Sequence, residues 1–235
     1  MSTITHPELA EHLNLVPYLC LDHSFDAAAV LAEAVALRAL FRVHRLQAGW
    51  RALAIISPDG DSQSTESERY HGGFTTGETR SRLTEIAPRC PASLAAVQSL
   101  IDVASCWRAR FMLLEPGAVV PVHRDVSQGP AVVLNLSVYQ PPGCEYLIDL
   151  NADGSLSPIT RLVPLTAGAS YLINVAAYHR IENRSTEDRY ALIVEGPGQF
   201  DEDQLVLLAR RQNGWQSLEE LWEAGLEKYL RSRGG

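Results

Sequence analysis

The spacing of hydrophobic and polar positions changes along the chain and predicts where helices and strands lie. Residues 24–44 are rich in alanine and leucine and begin at Ser24, a residue suited to cap a helix, so this stretch predicts a helix. Residues 92–104, which follow Pro91, predict a second helix. Between these helices, residues 51–60 form an apolar run that ends in a Pro-Asp-Gly turn and predicts a strand.

After residue 106 the pattern changes to short runs rich in valine, leucine, isoleucine and tyrosine, with turn residues between them. Such runs favour a β-sandwich or barrel over alternating strands and helices. The tail, residues 201–232, returns to a helical pattern. The predicted strands are 107–115, 131–139, 145–152, 159–165, 169–175 and 189–196.

These elements predict a mainly β protein with flanking helices, organised as one domain over residues 1–235. Its three parts are a helical N-terminal part (1–106), a β core (107–196) and a helical C-terminal tail (197–235).

A long polar segment, residues 61–82, interrupts this pattern and contains glycines but no apolar period. Loops of this length inside a compact domain are typically lids, binding loops or disordered segments. His71 in this segment is either a substrate contact on a lid or an exposed loop residue, and we keep it as a candidate substrate-binding residue.

Composition and charge narrow the classes of function. The formal net charge of −8 gives no basic surface of the kind that binds nucleic acid or anionic membranes. No stretch of about 20 apolar residues predicts a transmembrane helix, and the N-terminus lacks the apolar segment of a signal peptide. Four cysteines without a CxxC pair predict reduced thiols and a cytoplasmic protein. A small-molecule substrate that carries negative charge is not excluded, because a local arginine pocket can override the overall negative charge. The oligomeric state stays open.

Candidate metal ligands lie close to the ends of predicted strands. His123 and Asp125 are two positions apart, so they point the same way if the backbone is extended. His179 follows the predicted strand 169–175. Two histidines and one carboxylate form the facial triad that binds Fe(II) and leaves coordination positions open. Arg189, ten residues after His179, offers a planar fork that binds a carboxylate through two hydrogen bonds.

These residues resemble the aspartyl/asparaginyl hydroxylase family of Fe(II)- and 2-oxoglutarate-dependent oxygenases, and in particular its bacterial branch of proline cis-4-hydroxylases. The likeness covers residues 107–196. The matching residues are Glu115-Pro116-Gly117, His123-Arg124-Asp125, His179, Asn183-Arg184 and Asp188-Arg189.

The resemblance implies a double-stranded β-helix, which is a jelly-roll fold related to the cupins. It also implies that His123, Asp125 and His179 bind Fe(II), that Arg189 binds the far carboxylate of 2-oxoglutarate, and that O₂ is the second cosubstrate. No catalytic side chain is expected beyond the metal ligands. The carboxylate of Asp125 favours hydroxylation over halogenation.

The sequence departs from the family on the strand after the HRD motif, where a further arginine or histidine is typical. Here the polar residues are Asn135 and Ser137, and one of them is expected to hydrogen-bond the cosubstrate. Arg108 and Arg110 share one face of a predicted strand. If that face lines the barrel, Arg110 is a candidate for binding a substrate carboxylate; if it faces water, both arginines are solvated.

The predicted function is hydroxylation of a free amino acid or a small amino-acid derivative. Three alternatives stay open: a cupin-type metal enzyme that does not use 2-oxoglutarate, a hydroxylase of a peptide or carrier-bound amino acid, and a non-catalytic jelly-roll binding module. A 2-oxoglutarate-dependent hydroxylase releases succinate when it oxidises its substrate. Neither a metal enzyme that does not use 2-oxoglutarate nor a binding module does so, and this distinguishes the predicted function from both.

Overall fold

The computed structural model describes residues 18–45, 47–65, 81–101, 103–104, 106–124, 132–149, 161–175 and 178–195. His71, Asp125 and the predicted helical tail lie outside the described residues, as does most of the predicted lid. None of the helices in these ranges has the length and apolar character that a bilayer crossing requires.

Strands dominate the described part of the chain and form two antiparallel sheets. In chain order the strands are β1 (Tyr18–Ser24), β2 (Arg42–Val43), β3 (Trp50–Ser57), β4 (Arg82–Leu83), β5 (Arg108–Leu114), β6 (Val119–His123), β7 (Val132–Tyr139), β8 (Cys144–Asp149), β9 (Arg161–Leu162), β10 (Ala169–Asn174), β11 (Tyr178–Asn183) and β12 (Arg189–Glu195). The helices are α1 (Ala27–Ala36) and α2 (Pro91–Gln98), with short 3₁₀ helices at Arg38–Leu40 and Ala87–Arg89.

The order of strands β5 to β12 defines a jelly roll. The chain passes from one sheet to the other at each step except between β8 and β9, with β5, β7, β10 and β12 in the larger sheet and β6, β8, β9 and β11 in the smaller one. Their spatial orders are β10-β7-β12-β5 and β6-β11-β8-β9, which is the arrangement of a double-stranded β-helix. The fold predicted from the sequence is therefore confirmed. Strands β1, β2, β3 and β4 extend the larger sheet at its two edges.

Two apolar clusters cover the two faces of the larger sheet. Alternate residues such as Leu192 and Val194 join helix residues such as Val30 in one cluster, so the helices cover one face. The opposite face carries a second cluster that includes Tyr171 and, from the smaller sheet, Ile181. Residues that alternate with the helix-facing ones therefore point into the space between the sheets.

The first predicted helix is correct in its centre and wrong at both ends. Asp26, not Ser24, is the N-cap, because its side chain accepts a hydrogen bond from the Ala29 amide at 3.0 Å. Ser24 instead ends β1, a strand that the sequence did not predict. The helix ends at Ala36. The residues beyond it include β2, because pairing with β3 overrides their local helical preference.

The other predicted elements are mostly present but shorter. Helix α2 ends at Gln98 rather than at residue 104, and its start is held by Glu33 of α1, which accepts hydrogen bonds from the Ala92 and Ser93 amides. Strand β3 ends at Ser57, and β9 is reduced to two residues.

Two strands that carry the candidate metal ligands were not predicted. The predicted strand 169–175 corresponds to β10, which ends at Asn174, and His179 lies on the following strand, β11. Strand β6 contains His123 at its C-terminal end. Both strands are short, and both are held by antiparallel pairing, β6 with β11 and β11 also with β8.

Asn183 fixes the turn between β11 and β12. Its side-chain amide donates hydrogen bonds to the carbonyl oxygens of Leu114 and Glu187, at 2.9 and 2.8 Å. Its side-chain oxygen accepts a hydrogen bond from the Ser185 amide. This turn leads directly into Arg189, so Asn183 has a structural role in placing the start of β12.

Candidate active site

The two predicted metal-binding histidines lie side by side. His123 of β6 and His179 of β11 are directly paired across the smaller sheet. Their ring centroids are 4.2 Å apart, with the planes inclined at 52°. Both line one pocket between the sheets. Strand pairing therefore brings together two residues that are 56 positions apart in the chain.

The surroundings of the two imidazoles favour metal binding. Nδ1 of His123 lies 2.8 Å from the Pro121 carbonyl oxygen, a contact that needs a proton on Nδ1 and so leaves Nε2 as the nitrogen with a lone pair. His179 is buried, and the ring of Tyr146 stacks on it at 5.9 Å and 12°. The described ranges contain no group of three metal-binding side chains. Asp125, the predicted third ligand, lies outside these ranges.

Arg189, the first residue of β12, is a buried cation in the same pocket. Its side chain is 2% exposed, and burial lowers the pKa of its guanidinium below the usual value. Its Nε donates to the Gln140 side-chain oxygen at 2.9 Å. Nη2 has no hydrogen-bond partner among the described residues, and no carboxylate among them pairs with this guanidinium. A buried, uncompensated guanidinium is costly and is suited to an anionic ligand.

Asn135 of β7 adds a second unsatisfied polar group to this pocket. It is 1% exposed, and neither its amide nitrogen nor its amide oxygen has a hydrogen-bond partner in the described part of the chain. Buried amides are nearly always hydrogen-bonded, which indicates that a ligand or water completes this one. Ser137 is also buried, but it is not among the described residues that line the pocket. Of the two candidates, Asn135 is therefore the better placed for a cosubstrate.

The face of β5 that carries Arg108 and Arg110 lines the barrel, so the alternative of two solvated arginines is wrong. Both guanidiniums bind Glu195 of β12, Arg110 at 3.0 Å and Arg108 at 2.5 Å, and both donate to the Thr65 carbonyl oxygen. Burial raises the pKa of Glu195, but the two guanidiniums outweigh burial and hold that pKa below its usual value. Among the described residues, this cluster of two guanidiniums and one carboxylate carries a net charge of +1.

Two further residues line the pocket that sequence reasoning did not assign to it. His44 is fully buried, and its ring packs edge-on against Trp50 at 4.5 Å. The Trp50 ring lies 6.2 Å from that of His123. His44 is the last residue of the predicted helix 24–44, and Trp50 directly precedes the predicted strand 51–60. Only the pairing of β2 with β3 places them here, so no local signal could have found them.

We expect His44→Gln to reduce the sensitivity of the metal-free protein to mild acid. Burial, together with Arg110, Arg45 and Arg108, lowers the pKa of His44 from 6.5 to about 2. Below pH 6.5 the unfolded chain binds a proton that the folded chain excludes, so the free energy of unfolding falls as the pH falls. The slope for one such group approaches about 1.4 kcal/mol per pH unit.

Chemical unfolding at pH 7.5 and pH 5.5 measures this effect in the wild type and the variant. The variant is expected to lose less stability between the two conditions, by on the order of 1 kcal/mol. Equal losses in the two proteins would show that His44 already accepts a proton in the folded state.

The described residues thus bring two paired imidazoles and a buried guanidinium to one pocket of a jelly roll. The model of one family, Aspartyl/Asparaginyl beta-hydroxylase, matches residues 26–196, which is more than half of the chain. The chain belongs to this family, and the protein is an enzyme of the hydroxylase class. The family predicted from the sequence is therefore confirmed. No curated protein matches the chain.

Solved structures with a similar fold include an oxidoreductase of the 2OG-Fe(II) oxygenase family from Burkholderia pseudomallei (14% identity, TM-score 0.48, covering 82% of this chain and 91% of that one). A prolyl-4-hydroxylase from Pseudomonas putida has 17% identity and a TM-score of 0.47, with coverage of 82% and 98%. HygX from Streptomyces hygroscopicus, solved with nickel and 2-oxoglutarate bound, has 14% identity and a TM-score of 0.48, with coverage of 85% and 89%.

Proposed function

We propose that this protein is an Fe(II)- and 2-oxoglutarate-dependent dioxygenase that hydroxylates a free amino acid or a small amino-acid derivative. The observation that carries the proposal is the buried guanidinium of Arg189, which shares a pocket with the paired rings of His123 and His179. The pocket thus combines ligands that suit iron with a cation that suits a dicarboxylate. Membership of a hydroxylase family supports the same reaction class.

Under this proposal His123, His179 and Asp125 hold the iron, and the unsatisfied polar groups hold the cosubstrate. When bound, iron and 2-oxoglutarate supply the activation of O₂ for C–H oxidation, as the cosubstrate is converted to succinate and CO₂. Arg189 binds the carboxylate at the far end of 2-oxoglutarate, where Nη2 lacks a partner among the described residues. Asn135 hydrogen-bonds the cosubstrate. Burial of both side chains keeps water away from these bonds and strengthens them.

The substrate is assigned to the opposite end of β12. Arg189 and Glu195 are the first and last residues of that strand, which separates them by roughly 20 Å along the sheet. At the Glu195 end, Arg110 contributes to the excess positive charge, and we assign it to the substrate carboxylate. This arrangement gives the cosubstrate and an amino acid separate cationic partners. His71 stays a predicted substrate contact.

The test begins with anaerobic protein reconstituted with Fe(II) and titrated with 2-oxoglutarate. A weak visible absorption band is expected when the 2-oxo acid chelates the metal, and its absence would overturn the proposal. Aerobic incubation with each common amino acid then measures succinate and substrate mass. Succinate formation coupled to the gain of one oxygen atom identifies the substrate.

Amino-acid amides and N-acetyl amino acids serve as matched probes, because each removes one charge of a free amino acid. Loss of turnover with the amide supports recognition of the carboxylate by Arg110. Turnover of short peptides in preference to free amino acids would contradict the assigned substrate class while leaving the reaction type intact.

A further inference from the structure

Gln140 connects the start of β12 to the start of β8 through its side chain. The residue directly follows β7. Its amide oxygen accepts a hydrogen bond from Arg189 Nε at 2.9 Å, and its amide nitrogen donates to the Cys144 carbonyl oxygen at 2.6 Å. These two bonds determine the orientation of the amide, since only the oxygen can accept from arginine and only the nitrogen can donate to a carbonyl. The guanidinium of Arg189 is therefore held from one side at a defined angle.

The partner that orients Arg189 is uncharged, and this determines what the arginine can bind. Within the described ranges no carboxylate pairs with Arg189, although it is almost fully buried. The buried arginine Arg108, in contrast, is already paired with Glu195. A glutamate at position 140 would have the same shape as glutamine, but it would neutralise Arg189 from within the protein. The glutamine fixes the orientation of the Arg189 guanidinium and leaves its positive charge available to an anionic ligand.

We propose that Gln140 is a positioning residue that directs the Arg189 fork at the distal carboxylate of the cosubstrate and preserves its charge for that carboxylate. This inference rests on the proposed function, because it takes 2-oxoglutarate as the ligand of Arg189. Gln140 is not among the described residues that line the pocket, so it acts through Arg189. It determines the preference of the enzyme for a 2-oxo acid that carries a second carboxylate.

The test compares two ligands that share a metal-chelating end. 2-Oxoglutarate carries a distal carboxylate, and 2-oxobutyrate does not. Binding of each to the full-length protein loaded with Zn(II) is measured by calorimetry, so that no turnover takes place. The wild type is expected to bind 2-oxoglutarate at least ~30-fold more tightly, since one partner of a buried charge pair is missing in 2-oxobutyrate.

Gln140→Glu is expected to lower the affinity for 2-oxoglutarate by ~10-fold or more. The affinity for 2-oxobutyrate is expected to stay within about threefold of the wild-type value. Gln140→Met removes both hydrogen bonds without adding charge, and it is expected to lower the affinity for 2-oxoglutarate by about three- to tenfold. Gln98→Glu is the matched control, because it makes the same chemical change at an exposed helix end. It is expected to change neither affinity.

A double-mutant cycle with Arg189→Met separates positioning from a general structural effect. In the Arg189→Met background, Gln140→Glu is expected to have no further effect on 2-oxoglutarate binding. Two results would overturn the role of Gln140. One is that Gln140→Glu lowers the affinities for 2-oxoglutarate and 2-oxobutyrate equally; the other is that it lowers the affinity for 2-oxoglutarate as much in the Arg189→Met background as in the wild type. A wild-type protein that binds the two ligands equally would instead overturn the proposed function on which this inference depends.

Discussion

Replacing His179 with alanine is expected to lower the affinity for Fe(II) by at least ~100-fold and to abolish turnover. The side chain is buried beside His123, so its loss removes one of the predicted ligands from the pocket. His123→Ala is expected to have the same effect. Metal titration of the apoprotein measures the affinity, and succinate formation measures turnover.

The control for this prediction is His23→Ala. His23 bridges Ser170 and Ser99 at 2.8 Å each, and it is not among the described residues that line the pocket. Its replacement is expected to reduce stability and to leave metal affinity unchanged. Circular dichroism and thermal unfolding establish that each variant is folded. A folded His179→Ala protein with wild-type metal affinity would exclude His179 as a ligand.

Arg189→Met is expected to weaken 2-oxoglutarate binding strongly while metal affinity stays within about threefold of wild type. Removing one member of a buried charge pair costs about 2–5 kcal/mol, which corresponds to at least ~30-fold in affinity. The ligand-free variant is expected to be no less stable than the wild type, because an apolar side chain replaces a buried cation that pairs with no carboxylate among the described residues. Calorimetry and chemical unfolding measure the two quantities.

Two further variants sharpen this result. Arg189→Lys keeps the charge but loses the planar fork and its Nε bond to Gln140, so an intermediate loss of about tenfold is expected. Arg184→Met removes an exposed arginine that pairs with Glu182. It is expected to change neither the affinity for the metal nor the affinity for 2-oxoglutarate. Equal losses of metal and cosubstrate in Arg189→Met would show that the arginine supports the whole site rather than one carboxylate.

Recognition of this site from the sequence depended on a few residue types at a characteristic spacing. His123, His179 and Arg189 were identified in this way, and the structure brings all three to one pocket. Arg189 predicts an anionic ligand even when its partner is unknown. A guanidinium at the start of a buried apolar strand is costly unless an anion pairs with it. Asp125 was identified by the same spacing and stays a prediction, since it lies outside the described residues.

The strands were predicted well where they are long and apolar and poorly where they depend on a partner. Strands β5, β7 and β12 follow the predicted runs closely. Strands β6 and β11 were missed, although they carry the two histidines, because both are short and depend on pairing with a neighbouring strand. For the same reason the first helix ends before β2, which its sequence alone did not indicate.

By itself, the sequence predicted a mainly β fold from its apolar pattern, and its resemblance to a family predicted the jelly roll and the candidate ligands; the fold and the family are confirmed, and the ligands stay predictions. The tertiary structure decided that Arg110 faces inward, that Glu195 neutralises only part of the charge near it, and that Gln140 holds Arg189 without neutralising it. These contacts join residues far apart in the chain. Whether two such side chains meet depends on which strands pair and in which register, and the residues next to each side chain do not specify its partner strand.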